Sequence, residues 1–339
     1  MAKGSSDLSA VDAFKQGVVD RLGASIKKAF IDPKNIVYDR FSSGSYLLDD
    51  ELKGGYVKGK HVEFMGESGS GKTSSCAEAV AQFQKKYPKE MIMWFDLENV
   101  LDEDYFNNIG VNIDPDKFIL LRPSTGEEVF EIIREFTKSF KGGLIVIDSV
   151  PLMVPETTME ADFNQANVAA QARLMSKGLE MTMAHVSKSE ATMFFINQLR
   201  VNIGGYGEQN VTKGGKALGY YVRTRIKTSR QNSKGIAGES SGNTFELVKA
   251  NYGNEKKKVE TRIVYGQGID KYSELIDFCT KLDVFEKSGS WFSYKGTKLA
   301  NGKNTFIDVL KDNIELFEEL EQIVRNHIKQ KYEKKNGSN

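Results

Sequence analysis

The sequence predicts an α/β fold built on a mainly parallel sheet with helices on both faces. Short apolar runs alternate with longer helical patterns from residue 60 to about residue 230. The first apolar run leads through a glycine-rich loop directly into a helical pattern. After residue 220 the runs become rich in Thr, Val and Arg and alternate between apolar and polar residues, which is typical of antiparallel strands.

Length, charge and cysteine usage set the first limits. The chain has 339 residues, so we expect one large domain and one or two small ones. With 47 Lys and Arg against 46 Asp and Glu, it is not basic overall, and contacts with nucleic acid have to come from local patches. Cys76 and Cys279 fall in different predicted helices and form no metal-ligand pattern or disulfide framework, which fits a reducing compartment. Met1–Asp7 lacks an apolar run and no run has membrane-spanning length, so we expect a cytoplasmic protein with no membrane partner.

Residues 1–38 are predicted to precede the core domain. Apolar residues recur at helical spacing from Leu8 to Phe30, which predicts one amphipathic helix. Asp32–Asn35 is predicted to end this helix, and Ile36–Tyr38 follows as a short linker strand. The apolar face packs either on the core of its own chain or on a neighbouring copy, and the residues alone leave both open.

The core domain is predicted over residues 39–269. Its first strands are expected at His61–Met65, Met91–Phe95, Phe118–Leu121, Leu144–Ile147 and Thr192–Ile196. The helices between them are expected near residues 73–86, 103–109, 126–140 and 166–188. Antiparallel strands are then expected to extend one edge of the sheet, at Val222–Ser229, Thr244–Lys249 and Val259–Val264.

A small α/β domain is predicted over residues 270–330. Helices over residues 271–283 and 303–330 flank an aromatic hairpin at Trp291–Tyr294. Residues 331–339 are polar and are expected to form a frayed tail.

Residues 66–73 match the phosphate-binding loop G-x-x-x-x-G-K-[ST], between a predicted strand and a predicted helix. The glycines let successive backbone N–H groups point at one spot, and the helix N-terminus adds partial positive charge there. Lys72 is expected to reach the outer phosphates of a nucleotide, and the Thr73 hydroxyl to hold Mg²⁺. The candidate nucleotide-binding residues are therefore Gly66, Glu67, Ser68, Gly69, Ser70, Gly71, Lys72, Thr73 and the adjoining Ser74.

Two carboxylates follow predicted strands. Asp148 ends the run Leu144–Ile147, where a carboxylate supports magnesium in phosphate-loop enzymes or simply caps the next turn. Glu98 follows Met91–Phe95 and is the candidate for orienting or deprotonating the water that attacks the outer phosphate. Asp96 competes for this role, and a solvated loop acid is the other interpretation of both.

A polar pair and a glycine-rich segment follow the strand Thr192–Ile196. The Gln198 amide is placed to hydrogen-bond the terminal phosphate or the attacking water, or else to satisfy backbone groups. Residues 199–216 combine glycine with apolar and basic side chains, which suits a nucleic-acid strand, although an ordinary mobile loop has the same composition. Its basic, apolar and aromatic candidates for contact with nucleic acid are Arg200, Ile203, Tyr206 and Lys213.

With these residues in place, the chain resembles the RecA family of strand-exchange recombinases from about Ala10 to Lys329. The ordered matches are FSSGSYLLD at 41–49, GESGSGKT at 66–73, Leu101-Asp102 with Tyr105, STGE at 124–127, VIDSV at 146–150, FINQLR at 195–200, GGKAL at 214–218, YGQGI at 265–269 and WFSYKG at 291–296. The phosphate loop alone is shared by many ATPases, whereas the ordered set is far more specific.

The resemblance implies ATP and Mg²⁺ as cofactors, bound between the protomers of a helical filament. The N-terminal helix then docks on the neighbouring subunit, and this self-association builds the filament. Single-stranded DNA lies along the filament axis, and double-stranded DNA is the homologous target. In this arrangement Glu98 looks like the residue that activates water, and Gln198 like the sensor that links the γ-phosphate to DNA.

Further residues take roles from the same resemblance. Tyr105 is similar to the residue that stacks on adenine, with a core tyrosine as the alternative, and Asp102 and Tyr265 match the nucleotide-binding region. The positions that match DNA contacts are Met159–Asn167 as the first DNA loop, Arg173, Arg200, and Gly214 and Gly215 at the end of the second loop.

The sequence departs from the family pattern where two lysines of one protomer reach the neighbour's γ-phosphate. Lys249 matches the first lysine, but Asn251 stands at the second position. The missing cation bears on the rate and cooperativity of hydrolysis rather than on binding. Gly205-Tyr206 also replaces a bulkier apolar pair in the second DNA loop, and these departures favour a phage or accessory member of the family.

The expected function is a DNA-dependent ATPase that forms filaments on single-stranded DNA and promotes homologous pairing and strand exchange in recombination and repair. One alternative is a DNA-binding filament or recombination mediator with little ATP turnover, which the missing second lysine favours. A ring-shaped motor with the same core is the other, and the N-terminal helix and small C-terminal domain argue against it. The expected location is the cytoplasm of a bacterial or phage-infected cell.

Overall fold

The computed structural model describes residues 9–33, 36–159, 169–201, 210–212, 216–231 and 239–336. The chain forms two compact units, Met1–Asp39 and Arg40–Asn339. Within the described ranges, no helix combines the length and the apolar character needed to cross a membrane.

The helices and strands are numbered in chain order. The helices are α1 (Ala10–Leu22), α2 (Tyr46–Glu51), α3 (Lys72–Lys86), α4 (Glu103–Ile109), α5 (Gly126–Ser139), α6 (Glu156–Met159), α7 (Ala170–Ser189), α8 (Ala217–Tyr221), α9 (Lys271–Lys281), α10 (Lys303–Asp312) and α11 (Ile314–Asn336). The strands are β1 (Arg40–Phe41), β2 (Tyr56–Val57), β3 (Val62–Gly66), β4 (Ile92–Asp96), β5 (Phe118–Leu121), β6 (Leu144–Asp148), β7 (Thr192–Val201), β8 (Asn210–Thr212), β9 (Thr224–Gln231), β10 (Ser240–Ala250), β11 (Lys258–Val264), β12 (Gly268–Ile269), β13 (Glu286–Ser288), β14 (Trp291–Tyr294) and β15 (Thr297–Asn301).

The N-terminal helix is shorter than the sequence predicts. α1 ends at Leu22, because Gly23 takes a φ of +88° that a right-handed helix does not allow, and a short 3₁₀ helix follows. The prediction of one helix as far as Phe30 is therefore wrong. Ile36–Tyr38 is also not a strand, since the first strand begins at Arg40.

A ten-stranded sheet organises the second unit over its described residues, in the order β12-β11-β10-β9-β3-β7-β6-β4-β5, with β8 paired to β7. Neighbours from β9 to β5 are parallel, whereas β10, β11 and β12 join in antiparallel fashion. The prediction that Val222–Ser229 is an antiparallel addition is wrong in part. β9 follows the helix α8, lies parallel to β3, and is antiparallel only to β10.

Hydrophobic cores lie on both faces of this sheet. Phe64 and Trp94 pack in one core with side chains of α3 and α4. Phe95 and Ile147 point to the opposite face and pack in a second core with α5 and α7. The predicted cover of helices on both faces is thus confirmed.

A buried charge fixes the register of the central strand. The Glu63 side chain of β3 is fully buried, and its carboxylate accepts hydrogen bonds from Arg225 Nε of β9 at 2.6 Å and from Asn197 Nδ2 of β7 at 2.9 Å. A slip of either neighbour by one residue would turn its side chain to the other face of the sheet. Removing a partner from a buried charge typically costs about 3–5 kcal/mol, so the contact disfavours wrong registers.

The residues after Ile269 form a small α/β region with the three-stranded sheet β13-β14-β15, and Tyr46 of α2 packs in its hydrophobic core. The single helix predicted over residues 303–330 is two helices, because α10 ends at Asp312 and the Asn313 side chain accepts a hydrogen bond from the Leu316 N–H of α11 at 3.0 Å. α11 runs to Asn336, so the expected tail continues this helix.

Glu274 of α9 joins this region to the sheet. Its buried carboxylate accepts hydrogen bonds from Ser45 Oγ and the Tyr46 N–H, each at 2.9 Å, and from Thr261 Oγ1. Burial raises the pKa of Glu274 from its ordinary value of 4.5 to about 7, although the hydrogen bonds oppose this shift.

Replacing Glu274 by Gln is expected to weaken the dependence of stability on pH. Because the folded-state pKa is raised, the contribution of this group is complete below pH 4.5 and is lost as the pH rises through about 7. In urea titrations from pH 4.5 to about pH 8, the wild type should lose about 3 kcal/mol more unfolding free energy than Glu274→Gln. The exposed Glu318→Gln is the control, and parallel curves for wild type and Glu274→Gln would contradict the assignment.

Candidate nucleotide-binding site

The phosphate loop forms the turn between β3 and α3, and close contacts require its glycines. Gly69 and Gly71 have φ angles of +69° and +86°. A Cβ atom on Gly66 would lie 2.3 Å from the Thr228 carbonyl oxygen, and one on Gly71 would lie 2.4 Å from Ile263 Cδ1. The loop backbone therefore packs directly on β9 and β11.

Side chains of the strands β9 and β10 contact the phosphate loop and hold it in place. Ser70 Oγ lies 2.7 Å from Thr228 Oγ1, and Asn243 Nδ2 donates a hydrogen bond to the Ser70 carbonyl at 3.0 Å. The Lys72 ammonium donates to the Glu67 carbonyl oxygen at 2.6 Å, across the loop. Burial lowers the pKa of Lys72, and nearby carboxylates oppose this shift.

A cavity of about 290 Å³ opens over the loop. It brings together twelve of the residues that the sequence singles out: Ser68, Gly69, Ser70, Gly71, Lys72, Thr73, Ser74, Glu98, Tyr105, Asp148, Gln198 and Tyr265. Its other lining residues were not among the sequence candidates: Ile196, Ser241, Ile263 and Gly266.

Thr73 and Asp148 form a candidate magnesium site in this cavity. Thr73 Oγ1 donates a hydrogen bond to Asp148 Oδ2 at 2.9 Å, and Asp148 Oδ1 is buried without a hydrogen-bond partner. Burial raises the pKa of Asp148 to about 7. A hydroxyl and a carboxylate are the hard oxygen ligands that Mg²⁺ prefers, together with phosphates and water. Across the described ranges, no group of three or more His, Cys, Asp or Glu could hold a metal ion.

Glu98 is half-buried at the cavity wall and is held by two donors. Its Oε1 atom accepts hydrogen bonds from Ser149 Oγ at 2.6 Å and from Gln198 Nε2 at 3.3 Å. Ser149 is a residue that sequence reasoning missed, although it directly follows the candidate Asp148. The two contacts fix the Glu98 carboxylate between Ser149, which follows β6, and Gln198 of β7.

Asp96, the competitor of Glu98, is engaged away from the cavity. Its buried carboxylate accepts hydrogen bonds from Arg122 Nη2 at 2.8 Å and Nε at 3.1 Å, and from the Val100 N–H at 3.0 Å. These contacts order the loop after β4, so Asp96 has a structural role and Glu98 is the better candidate for orienting water.

Two tyrosines border the cavity, and Asp102 does not. The Tyr105 hydroxyl donates to Ser74 Oγ at 2.5 Å, while Tyr265 is 44% exposed. Asp102 instead caps α4, where its carboxylate accepts a hydrogen bond from the Tyr105 N–H at 2.8 Å. Asp102 does not line this cavity, so its predicted contact with nucleotide is not seen there.

Lys249 lies far from the cavity of its own chain. It is six residues along β10 from Asn243, which corresponds to about 20 Å at the rise of a strand. Its ammonium donates hydrogen bonds to the carbonyls of Gly219 and Val222 at 2.9 and 2.8 Å, at the end of α8. Any contact of Lys249 with nucleotide therefore has to involve another copy of the chain.

The candidates for DNA contact are only partly described. Arg173 is exposed on α7, and Arg200 lies in β7 at the position that pairs with Val211 of β8. Ile203, Tyr206, Lys213, Gly214 and Gly215 lie outside the described residues, as does the segment Met159–Asn167 except for exposed Met159 at the end of α6.

Comparisons with known proteins agree with this architecture. Residues 10–270 match the family model described as RecA N-terminal domain, and residues 273–329 match the RecA C-terminal domain. Protein RecA of Campylobacter hominis is 36% identical over 332 residues, which cover 95% of this chain and 91% of that protein. Protein RecA of Mycoplasmopsis pulmonis is 36% identical over 288 residues, with 84% of each chain covered. Protein RecA of Rickettsia bellii is 37% identical over 295 residues, which cover 86% of this chain and 85% of that protein.

The fold and the phosphate loop define an ATPase of the phosphate-loop class. Within that class, the chain belongs to the RecA family. It is accordingly a DNA-dependent ATPase of homologous recombination and repair, and the resemblance inferred from its motifs is confirmed.

Gly66→Ala is expected to weaken nucleotide binding about tenfold, because the added methyl group displaces the loop from β9. Titration with a fluorescent ADP analogue measures this directly. Gly219→Ala is the matched control, since its Cβ would meet its nearest neighbour, Arg225 Nη1, at 3.8 Å. Wild-type affinity in Gly66→Ala would contradict the requirement for glycine.

Proposed function

We propose that the cavity over the phosphate loop binds ATP with Mg²⁺ and that its hydrolysis there controls a filament on single-stranded DNA. One observation carries this proposal. A phosphate loop, a half-buried hydroxyl bonded to a buried carboxylate, and a glutamate held by two donors meet at one edge of the sheet. This edge is formed by the carboxyl ends of parallel strands, where such sheets bind ligands.

Phosphate binding falls to the loop and to Lys72. The loop backbone and the N-terminus of α3 attract the negative phosphates, and Lys72 exchanges its contact with the Glu67 carbonyl for the outer phosphates. The partial burial of Lys72 strengthens this attraction, because charges interact more strongly at low dielectric. Thr73 and Asp148 would hold the magnesium ion, which neutralises charge on the phosphates when bound.

Hydrolysis depends on Glu98 in this proposal. Orienting a water for attack requires a carboxylate in a fixed position, and the hydrogen bonds from Ser149 and Gln198 supply that constraint. The hydrogen bond to Glu98 also gives Gln198 a second role. When its amide turns from Glu98 to a γ-phosphate, β7 responds to the nucleotide, and the same strand leads to Arg200 and the DNA-binding segment.

Filament assembly is assigned to α1 and a second copy of the chain. Val11, Phe14 and Leu22 of this helix are 60%, 66% and 56% exposed, and no residue of α1 is buried. Apolar side chains at helical spacing are the usual means of docking a helix in a groove of a partner. We place the filament in the cytoplasm of a bacterial or phage-infected cell, with single-stranded DNA bound and duplex DNA as the homologous target.

Lys249 acts across the filament in this scheme. Because it lies about 20 Å from its own cavity by strand rise, it reaches only the γ-phosphate held by a neighbour. Because Asn251 stands at the second lysine position, Lys249 is the single lysine of the pair, which favours slow turnover of ATP. Slow turnover supports a second candidate function. That candidate is a DNA-binding filament or mediator that hydrolyses little ATP.

Steady-state ATP hydrolysis without DNA, with single-stranded DNA and with duplex tests the proposal. Single strands should stimulate turnover, and Glu98→Gln should lower the stimulated rate by about 100-fold while nucleotide affinity stays within about twofold. DNA binding without stimulated turnover would favour the mediator instead. Unchanged turnover in Glu98→Gln would exclude Glu98 as the residue that orients water.

Ser149→Ala is expected to lower kcat about tenfold and to leave KM for ATP nearly unchanged, because only the orientation of Glu98 is lost. Ser149→Thr, which retains a hydroxyl, should recover part of the rate. Ser176→Ala is the control, since the exposed Ser176 hydroxyl bonds the Ala172 carbonyl of its own helix. A rise in KM without a fall in kcat would assign Ser149 to nucleotide binding.

A further inference from the structure

Tyr265 stands on a tight turn at the open side of the nucleotide cavity. The turn joins β11 to β12 and is closed by the Gln267 N–H, which donates to the Val264 carbonyl at 3.1 Å. Gly266 takes a φ of +74° in the same turn, and the Tyr265 N–H donates to the Glu239 carbonyl at 2.9 Å. These bonds fix the backbone, but they leave the direction of the exposed ring to its side-chain rotamer.

Arg230 of β9 holds this ring from outside the cavity. Its Nη2 atom donates a hydrogen bond to the Tyr265 hydroxyl at 2.6 Å, and the guanidinium lies 5.9 Å from the ring centroid. Both distances place the guanidinium at the hydroxyl end of the phenol. Arg230 is not among the residues that line the cavity, so it acts there only through the tyrosine.

The sheet places Arg230 at the level of the phosphate loop. Its register partner on β10 is Asn243, and the Asn243 amide holds the Ser70 carbonyl of the loop at 3.0 Å. Ser241 of β10 and Ile263 of β11 line the cavity between this loop and Tyr265. A planar ring held at a fixed distance from a phosphate site is suited to stack on the base of a nucleotide.

We propose that Arg230 is a positioning residue that directs Tyr265 against the base of the bound nucleotide. This inference rests on the proposed binding of ATP in the same cavity. Without the hydrogen bond, the ring samples other rotamers, and the nucleotide has to select the productive one at a cost in affinity. Loss of this hydrogen bond changes neither the contacts of the bound phosphates nor the position of Glu98, so the chemical step keeps its rate.

The test compares Arg230→Gln, Tyr265→Phe and the double variant. Each single variant should raise KM for ATP about three- to tenfold and leave the DNA-stimulated kcat within about twofold. Because both changes break the same hydrogen bond, the double variant should be no worse than the weaker-binding single variant. An unchanged KM in Arg230→Gln, or a double variant whose effect is the product of the two, would overturn the proposal.

Two further variants distinguish the positioning of Tyr265 from a general effect of positive charge and from a failure of nucleotide binding itself. Lys227→Gln removes a positive charge three residues earlier on β9 and should leave KM unchanged. If Arg230→Gln instead weakens binding of a fluorescent single strand and reduces its salt dependence, Arg230 contacts DNA phosphates and the proposal fails.

Lys72→Ala tests the proposed binding of ATP in the cavity, with a fluorescent ATP analogue as the ligand. A large loss of affinity in Lys72→Ala but not in Arg230→Gln overturns the inference alone, whereas no loss in Lys72→Ala overturns both.

Discussion

The Glu63 carboxylate, buried between Arg225 and Asn197, fixes the register on which the site depends. It ties β3 to both neighbours by side-chain contacts, in addition to the backbone ladder. In this register Gly66 lies opposite Gln198 on one side and Thr228 on the other. A slip by one residue would remove the support of the phosphate loop and turn Gln198 to the wrong face. The buried ion pair thus disfavours other alignments, because a slip would leave the charge without its partners.

The site combines groups from distant parts of the chain because parallel strands end at one edge. β6 ends in Asp148 and is followed by Ser149, β7 contains Gln198, and the turn after β4 contains Glu98. Asp148 Oδ1 is buried without a hydrogen-bond partner, and burial raises the pKa of this carboxyl. The magnesium ion that we propose here would favour its charged form.

Local patterns predict the strands and helices of the core and the phosphate loop, because strand, turn and helix signals lie within a few residues of one another. The break at Gly23 escapes such patterns because apolar spacing continues past it, although a glycine inside a helical pattern is a known warning. The alternation in β9 shows only that one face is more exposed and does not report strand direction. Ser241 and Ile263 reach the cavity through the pairing of β10 with β11, a long-range register that no local pattern encodes. The long separation of Lys249 from its own cavity is likewise visible only in the folded chain.

Our central claim is that Thr73 and Asp148 hold a magnesium ion together with the bound nucleotide. Calorimetric titration of a slowly hydrolysed ATP analogue, with and without Mg²⁺, tests it most directly in wild type and in Asp148→Asn. We expect Mg²⁺ to tighten binding in the wild type, and we expect Asp148→Asn to lose most of that increment. If Mg²⁺ tightened binding in Asp148→Asn as much as in the wild type, the claim would be contradicted, because the buried carboxylate oxygen would then have no part in holding the ion.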